Sequence, residues 1–180
     1  MAQNTQDDNI KGTARIMVIL AWVSGLVFLT YLFQQMLDDR YNPNAELAML
    51  TGSDGVREVV LLRNAQGHYV ASGRINDESV VFLLDTGATD VAVPLDLADD
   101  LGLPRLQRGM SRTANGTVPV WGTRLDSVRL GAVELRDVRA TIVPSMGRGS
   151  PVLLGMSFLK QLEMVQRDGR LTLRQGAARG

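Results

Sequence analysis

The sequence predicts a mainly β fold, a closed β-barrel or sandwich with one or two short helices, preceded by a single N-terminal transmembrane helix. Three observations point that way. One uncharged apolar run lies near the N-terminus, short apolar runs of β type recur from Glu58 onward, and only two later stretches carry helix-type ends. With 180 residues, the chain accommodates one domain and an appendage.

The appendage comes first. Residues 16–33, IMVILAWVSGLVFLTYLF, run 18 positions without a charge. As a helix rising about 1.5 Å per residue, this run spans about 27 Å, close to the hydrocarbon thickness of a bilayer. Trp22, Phe28, Tyr31 and Phe33 lie within it, the last two near one end, where interfacial rings sit. The run exceeds the apolar region of a cleaved signal peptide, and no small-x-small cleavage site follows closely, so an uncleaved signal anchor is expected. Lys11 and Arg15 precede the segment and Arg40 is the first cation after it. Counting Lys and Arg alone, residues 1–15 form a cytoplasmic tail and the chain beyond residue 40 lies outside the cytoplasm. Residues 34–56 mix polar, Pro and Gly positions with a short apolar patch and read as a juxtamembrane linker or short helix.

The domain is expected over 57–175, with a short tail over 176–180. EVVLLR, HYVASGRI and SVVFLLD are strand-like runs separated by NAQG (64–67) and NDES (76–79). NGT (115–117) breaks SRTA from VPVWGTRLDSVRL, LGAVEL (130–135) marks another turn, and Asp168-Gly169 is a strong hairpin signal between LEMVQ and RLTL. Helices are expected over PLDLADDL (94–101), opened by Pro94 and closed by Gly102, and over MSFLKQL (156–162).

Composition removes several functions. There are 19 Lys+Arg against 19 Asp+Glu and no Cys. A balanced charge disfavours nucleic acid as a partner, and the lack of Cys removes thiol nucleophiles, Cys-type zinc sites and disulfides. His68, the only histidine, lies in a turn signal without a Ser nucleophile motif nearby, so neither a triad nor a zinc site is expected. No phosphate-binding glycine motif is present, and no metal or other cofactor is implied. Asp99-Asp100 reads as a solvated helix face, and Trp121 as a core residue rather than a pocket wall.

One constellation remains. The apolar strand VVFLL runs into Asp85-Thr86-Gly87-Ala88. A carboxylate at the end of such a strand is costly to bury unless it is satisfied. Gly87 lets the backbone turn so that N–H groups face the carboxylate, and Thr86 adds a hydroxyl. About 70 residues later a second apolar-apolar-Gly element follows, Leu153-Leu154-Gly155.

FLLDTGATDVAVP with a downstream VLLGMSFL resembles the retropepsin-like aspartic proteases of clan AA, and more narrowly their bacterial membrane-anchored members. The resemblance covers roughly 67–173. It implies a closed, mostly β protomer with Asp85 as catalytic carboxylate, Thr86 gripping the opposite subunit's loop, Gly87 as N–H donor and Ala88 as a small packing residue. It further implies that Leu153, Leu154 and Gly155 support that loop, and that Thr113, Ala114, Asn115 and Gly116 form the tip of a substrate-covering flap. Two positions depart from the retroviral pattern. Met156 stands where an Arg usually braces the dimer, and Asp90 is offset from the usual acidic position and reads as structural.

Carboxylate-pair hydrolysis needs one ionised Asp to take a proton from water and a protonated neighbour to polarise the carbonyl. No second Asp-Thr/Ser-Gly with an apolar strand before it occurs in the chain. A two-fold homodimer, with one Asp85 from each protomer, is therefore expected. The sequence thus points to a single-pass protein of a bacterial inner membrane, its domain periplasmic, acting as an aspartic endopeptidase on protein or peptide substrates in regulatory or processing proteolysis. The alternative is a catalytically silent peptide-binding or dimerisation module on the same tether.

Overall fold

The computed structural model describes residues 3–47, 50–51, 55–113 and 116–176. Two units divide the chain at residue 40.

The N-terminal unit is one helix, α1 (Gln3–Tyr41), which runs past the expected 16–33 at both ends. Pro43 biases Asn42 out of the helical region, so the helix stops at Tyr41. From Arg15 to Tyr41 the helix is long and apolar enough to cross a membrane, and none of that stretch is buried within the protein. Trp22 is 77% exposed, and exposed Leu, Val, Ile and Phe side chains surround it. A helix apolar on every side needs a non-aqueous environment.

Residues 34–56, expected as a juxtamembrane linker or short helix, hold both helical and β segments. Helix α1 occupies 34–41, and Asn44 then becomes part of the β domain with 3% of its surface exposed. Its Nδ2 donates to the Leu62 and Val70 carbonyls at 2.9 and 2.6 Å, while its Oδ1 accepts the Leu62 N–H at 2.6 Å. The Asn44 carbonyl also accepts from Ser72 N–H. A short strand, β1 (Leu50–Thr51), then pairs with β2 (Arg57–Leu62). The carboxamide thus supplies ladder hydrogen bonds where β2 ends and β3 (Val70–Ile75) begins. Asn44→Ala leaves these partners unpaired. It is expected to lower stability by about 2–3 kcal/mol, read by chemical denaturation of the full chain.

The β domain contains a closed barrel. Strand β3 pairs with β4 (Glu78–Leu84), β4 with β9 (Val152–Leu154), β9 with β5 (Val91–Pro94), β5 with β8 (Val133–Val143), and β8 with β7 (Gly116–Leu130). Strand β7 returns to β3 through Arg74↔Arg129 and Ile75↔Val128, closing six strands. Closure needs Gly73, since a Cβ there would lie 2.4 Å from the Arg129 carbonyl oxygen and 2.7 Å from the Phe82 ring. The other end of the long β7 carries β6 (Arg108–Thr113) as a hairpin with Thr113↔Gly116. Phe82, Leu125, Ile142, Leu154 and Phe158 fill the interior.

A second sheet, in the order β1-β2-β11-β10, completes the domain with β10 (Glu163–Arg167) and β11 (Arg170–Gln175). Val59, Leu61, Leu171 and Leu173 turn one face of it into the core. The two-residue turns Asn76-Asp77 and Asp168-Gly169 have positive φ throughout, as their turn and hairpin signals allow. Helix α2 (Leu95–Asp100) ends in a Schellman arrangement, Gly102 N–H to the Asp99 carbonyl and Leu103 N–H to that of Ala98. Helix α3 (Met156–Leu159) is shorter than the expected 156–162, because after Lys160 the bonds tighten to single turns at Gln161 and Leu162. The mainly β, closed-barrel fold with short helices and an N-terminal apolar helix is the one the sequence predicts.

Candidate active site

Asp85 sits where β4 ends, and the topology explains why a loop is held there. Strand β9 lies between β4 and β5, parallel to the first through Leu84↔Leu154 and antiparallel to the second through Ala92↔Leu153. Residues 85–90 must therefore cross the end of β9. The crossing runs over Gly155, where a Cβ would lie 2.2 Å from the Asp90 carbonyl oxygen and 2.7 Å from that of Ala88. Backbone bonds fix the loop in place. Asp85 N–H donates to the Leu154 carbonyl, Met156 N–H to that of Ala88 at 2.8 Å, and Ser157 N–H to that of Thr89 at 2.9 Å.

Within the loop, Gly87 N–H donates to Asp85 Oδ1 at 2.9 Å. Among the described residues, Oδ2 has no hydrogen-bond partner. Asp85 is half-buried, and the neighbouring Thr86 and Gly87 are exposed. The carboxylate therefore has one oxygen held by the backbone and one open for a proton, a water or a second acid.

Asp85 opens onto a cavity of roughly 550 Å³. Val118, Val143, Met146 and Leu153 give it an apolar wall, and Ser111 and Arg112 reach it from β6. The β6–β7 hairpin thus lies against the same space as Asp85. Of the expected flap residues, Thr113 and Gly116 end the paired strands, whereas Ala114 and Asn115 lie outside the described residues. Leu153 lines the cavity, Leu154 is fully buried behind the loop, and Met156 packs against the core.

Asp90 also lines the cavity, but its Oδ1 takes Arg139 Nε at 2.7 Å. That ion pair commits it to a positioning role, and it does not stand free beside Asp85 as a second acid. Ser157, which the sequence reading did not single out, joins three elements. It is 6% exposed, accepts Val91 N–H at 3.0 Å and donates to the Arg139 carbonyl at 2.7 Å. The only signal for it was a hydroxyl inside an apolar run. Arg139 offered none, lying 49 residues from its partner.

The remaining candidates fall elsewhere. His68 is exposed in its turn. Trp121 packs partly buried against the core with the Arg105 and Arg108 guanidinium carbons 5.5 and 5.8 Å from its ring centre. Asp99 pairs with Arg105 on the surface. Among the described residues, no three His, Asp or Glu side chains converge as a metal site requires.

A strand-end Asp-Thr-Gly loop crossing an apolar-apolar-Gly segment has counterparts among known proteins. Residues 71–161 match the family described as "gag-polyprotein putative aspartyl protease". The chain belongs to that aspartyl protease family. The match takes in the Asp85 loop, the hairpin and the Gly155 crossing together. The chain is 33% identical over 130 residues to an uncharacterized protein of the cobV 5′ region of a Sinorhizobium species, covering 70% of this chain and 55% of the relative. It is 29% identical over 124 residues to an uncharacterized protein of Rickettsia prowazekii (strain Madrid E), covering 67% and 52%. The chain thus spans about half the length of these curated relatives. The crystal structure of a retropepsin-like aspartic protease from Rickettsia conorii superposes with a TM-score of 0.54 at 24% identity, covering 72% of this chain and 95% of that one. The aspartyl protease fold of this chain is therefore retropepsin-like.

Proposed function

We propose that this protein is a membrane-anchored aspartic endopeptidase in which two copies of the chain each contribute Asp85. The observation that carries the reading is the Asp85 carboxylate itself, with Oδ1 held by Gly87 N–H and Oδ2 free at the wall of an open cavity. A single carboxylate cannot both take a proton from water and donate one to the carbonyl. The second acid must then come from a partner, since Asp90 is engaged by Arg139. In such a pair, like charges about 3 Å apart hold one proton between them. The ionised member activates water, the protonated member polarises the peptide carbonyl, and the proton reaches the leaving amine as the tetrahedral intermediate collapses.

The remaining roles follow from position. Exposed Thr86 faces the partner's loop, and the tip over 113–116 covers substrate that lies as an added strand. The apolar wall takes a side chain next to the scissile bond. The apolar part of α1 crosses a bacterial inner membrane, with Lys11 and Arg15 on the cytoplasmic side and the β domain in the periplasm. Tethering confines cleavage to a layer near the bilayer, which suits processing or regulatory proteolysis.

The test is cleavage of a proteome-derived peptide library by the full chain in lipid nanodiscs, with and without a statine-containing peptide. Cleavage with a preference for apolar residues at the scissile bond, blocked by the statine, is expected. A folded chain that binds peptides without generating new termini would instead be a peptide-binding module.

A further inference from the structure

The outer face of the second sheet sorts charge along its strands. Glu58, Arg174 and Glu163 lie side by side across β2, β11 and β10 at one end, and Val60, Thr172 and Val165 do so in the middle. Leu62, Arg170 and Arg167 form the row at the other end. All of these alternate with Val59, Leu61, Leu171 and Leu173, whose side chains enter the core. The first row is acidic on balance, and Arg174 bonds Glu58 at 2.6 Å. The last row sets two arginines directly opposite each other beside exposed Leu62, and like charges in a cross-strand pair repel.

Arg63 brings a third cation to that end. Its N–H donates to the Gly169 carbonyl in the β10–β11 turn, and its Nε donates to the Gly67 carbonyl, which leaves the rest of the exposed guanidinium open. Across the connections 63–69 and 167–170, Asp168 is the single acidic residue. Among the described residues, Arg63, Arg167, Arg170 and Asp168 form no ion pair. This cationic end is also where the N-terminal helix enters the β domain. The carbonyl of Tyr41, the last residue of α1, accepts from Asn64 Nδ2 at 3.0 Å, and Asn44 bonds Leu62 itself. Chain connectivity therefore brings the arginine end, rather than the Glu58 and Glu163 end, to the residues that follow the apolar helix.

We propose that the Arg63, Arg167 and Arg170 end of the second sheet docks on anionic lipid headgroups, with Leu62 entering the interfacial layer. This rests on the membrane-anchored part of the proposed function and adds an orientation to it. Charge complementarity selects the occupant. A lipid phosphate between Arg167 and Arg170 replaces their repulsion with charge-assisted hydrogen bonds. An open cavity of roughly 520 Å³ lined by Val165, Arg167, Asp168, Arg170 and Thr172 leaves room for it. Basic residues next to a transmembrane helix are attracted to a negatively charged bilayer surface within a Debye length. Docked, the domain is held in one orientation instead of swivelling on its tether.

Energy transfer from the 63–69 connection to the lipid surface tests this. Because the chain has no cysteine, Ala65→Cys carries a single donor dye in the full chain, reconstituted in nanodiscs whose lipids include a headgroup-labelled acceptor. Transfer should be stronger with phosphatidylglycerol present than in phosphatidylcholine alone, and high salt should remove the difference. Each arginine contributes about fivefold at such a surface, so Arg63→Gln, Arg167→Gln and Arg170→Gln together should lower the docked-to-undocked ratio about a hundredfold. Arg136→Gln, which removes an exposed cation from β8, should leave it unchanged. Thermal melting checks that each variant is folded, and the salt response of the chain with its arginines intact needs no variant. Equal transfer in the two lipid compositions, or a folded triple variant that docks as well as its parent, would overturn the proposal. Lipid-independent transfer together with binding of a polyglutamate peptide would assign the face to an acidic protein instead. Co-elution of the chain with the nanodisc reads insertion separately, so a chain left out of the nanodisc would count against the anchor itself and overturn the docking with it.

Discussion

Asp85→Asn is expected to abolish the proposed peptide-bond hydrolysis and to leave the fold standing. The carboxamide keeps an oxygen for the Gly87 N–H at 2.9 Å, and the backbone bonds of the loop do not involve the side chain. Thermal melting should therefore shift little. What is lost is a group able to exist as carboxylate and carboxylic acid in turn, and with it both proton transfers of the reaction. Removing a positioned acid–base group costs about 10²–10⁴-fold in turnover. Because both members of the proposed pair change together, the loss should sit at or beyond the upper end of that range. Peptide binding should persist, since the apolar wall of Val118, Val143 and Leu153 is untouched.

Gly155→Ala should have the largest effect on the fold near the site. Gly155 has φ −87° and ψ −172°, extended backbone open to any residue, so the cost is purely steric. The added methyl would meet the Asp90 carbonyl oxygen at 2.2 Å and that of Ala88 at 2.7 Å, both backbone atoms of the loop that crosses there. Relief requires lifting residues 88–90 off β9. That stretches the bonds from Met156 and Ser157 to Ala88 and Thr89 and displaces Asp85. A loss of about 3 kcal/mol is expected for such overpacking, or roughly a 10 °C fall in Tm for a domain of this size. Cleavage should fall with it. Gly109→Ala is the control, because its methyl would meet only the Val120 side chain at an ordinary 3.8 Å. An unchanged Tm for Gly155→Ala would mean that the crossing is not the constraint described.

The parts of this architecture that could be read in the sequence are those with a local cause. Asn76-Asp77, within a turn signal, and Asp168-Gly169, a hairpin signal, are residue types that tolerate left-handed backbone, and both hairpins form there. Gly102 stops α2 through two short-range bonds. Gly87 turns the loop back onto the Asp85 carboxylate within one stretch of chain, whereas the steric need for Gly155 lies in the Asp90 and Ala88 carbonyls of that distant loop, so the Leu-Leu-Gly segment was legible only as part of a family pattern. The rest depends on distant partners. Asn44 looked like part of a polar linker because its three side-chain bonds go to Leu62 and Val70, 18 and 26 residues away. The four residues of β5, buried on both faces, show no alternation to mark them as a strand. Asp90 reads as structural in the sequence, yet only the fold reveals that Arg139 is what holds it. Ser157 has no local pattern at all, since its hydroxyl serves β5 and β8 from a helix.

The central claim is that one functional site takes Asp85 from each of two chains. Mixing wild-type chain with increasing Asp85→Asn chain at constant total concentration, after exchange of subunits, tests it directly. If both carboxylates are required, only wild-type pairs cleave, and activity falls as the square of the wild-type fraction. At equal amounts, about one quarter of the activity remains. A decline in simple proportion to the wild-type fraction, with half the activity left at equal amounts, would show that one Asp85 suffices and would contradict the account.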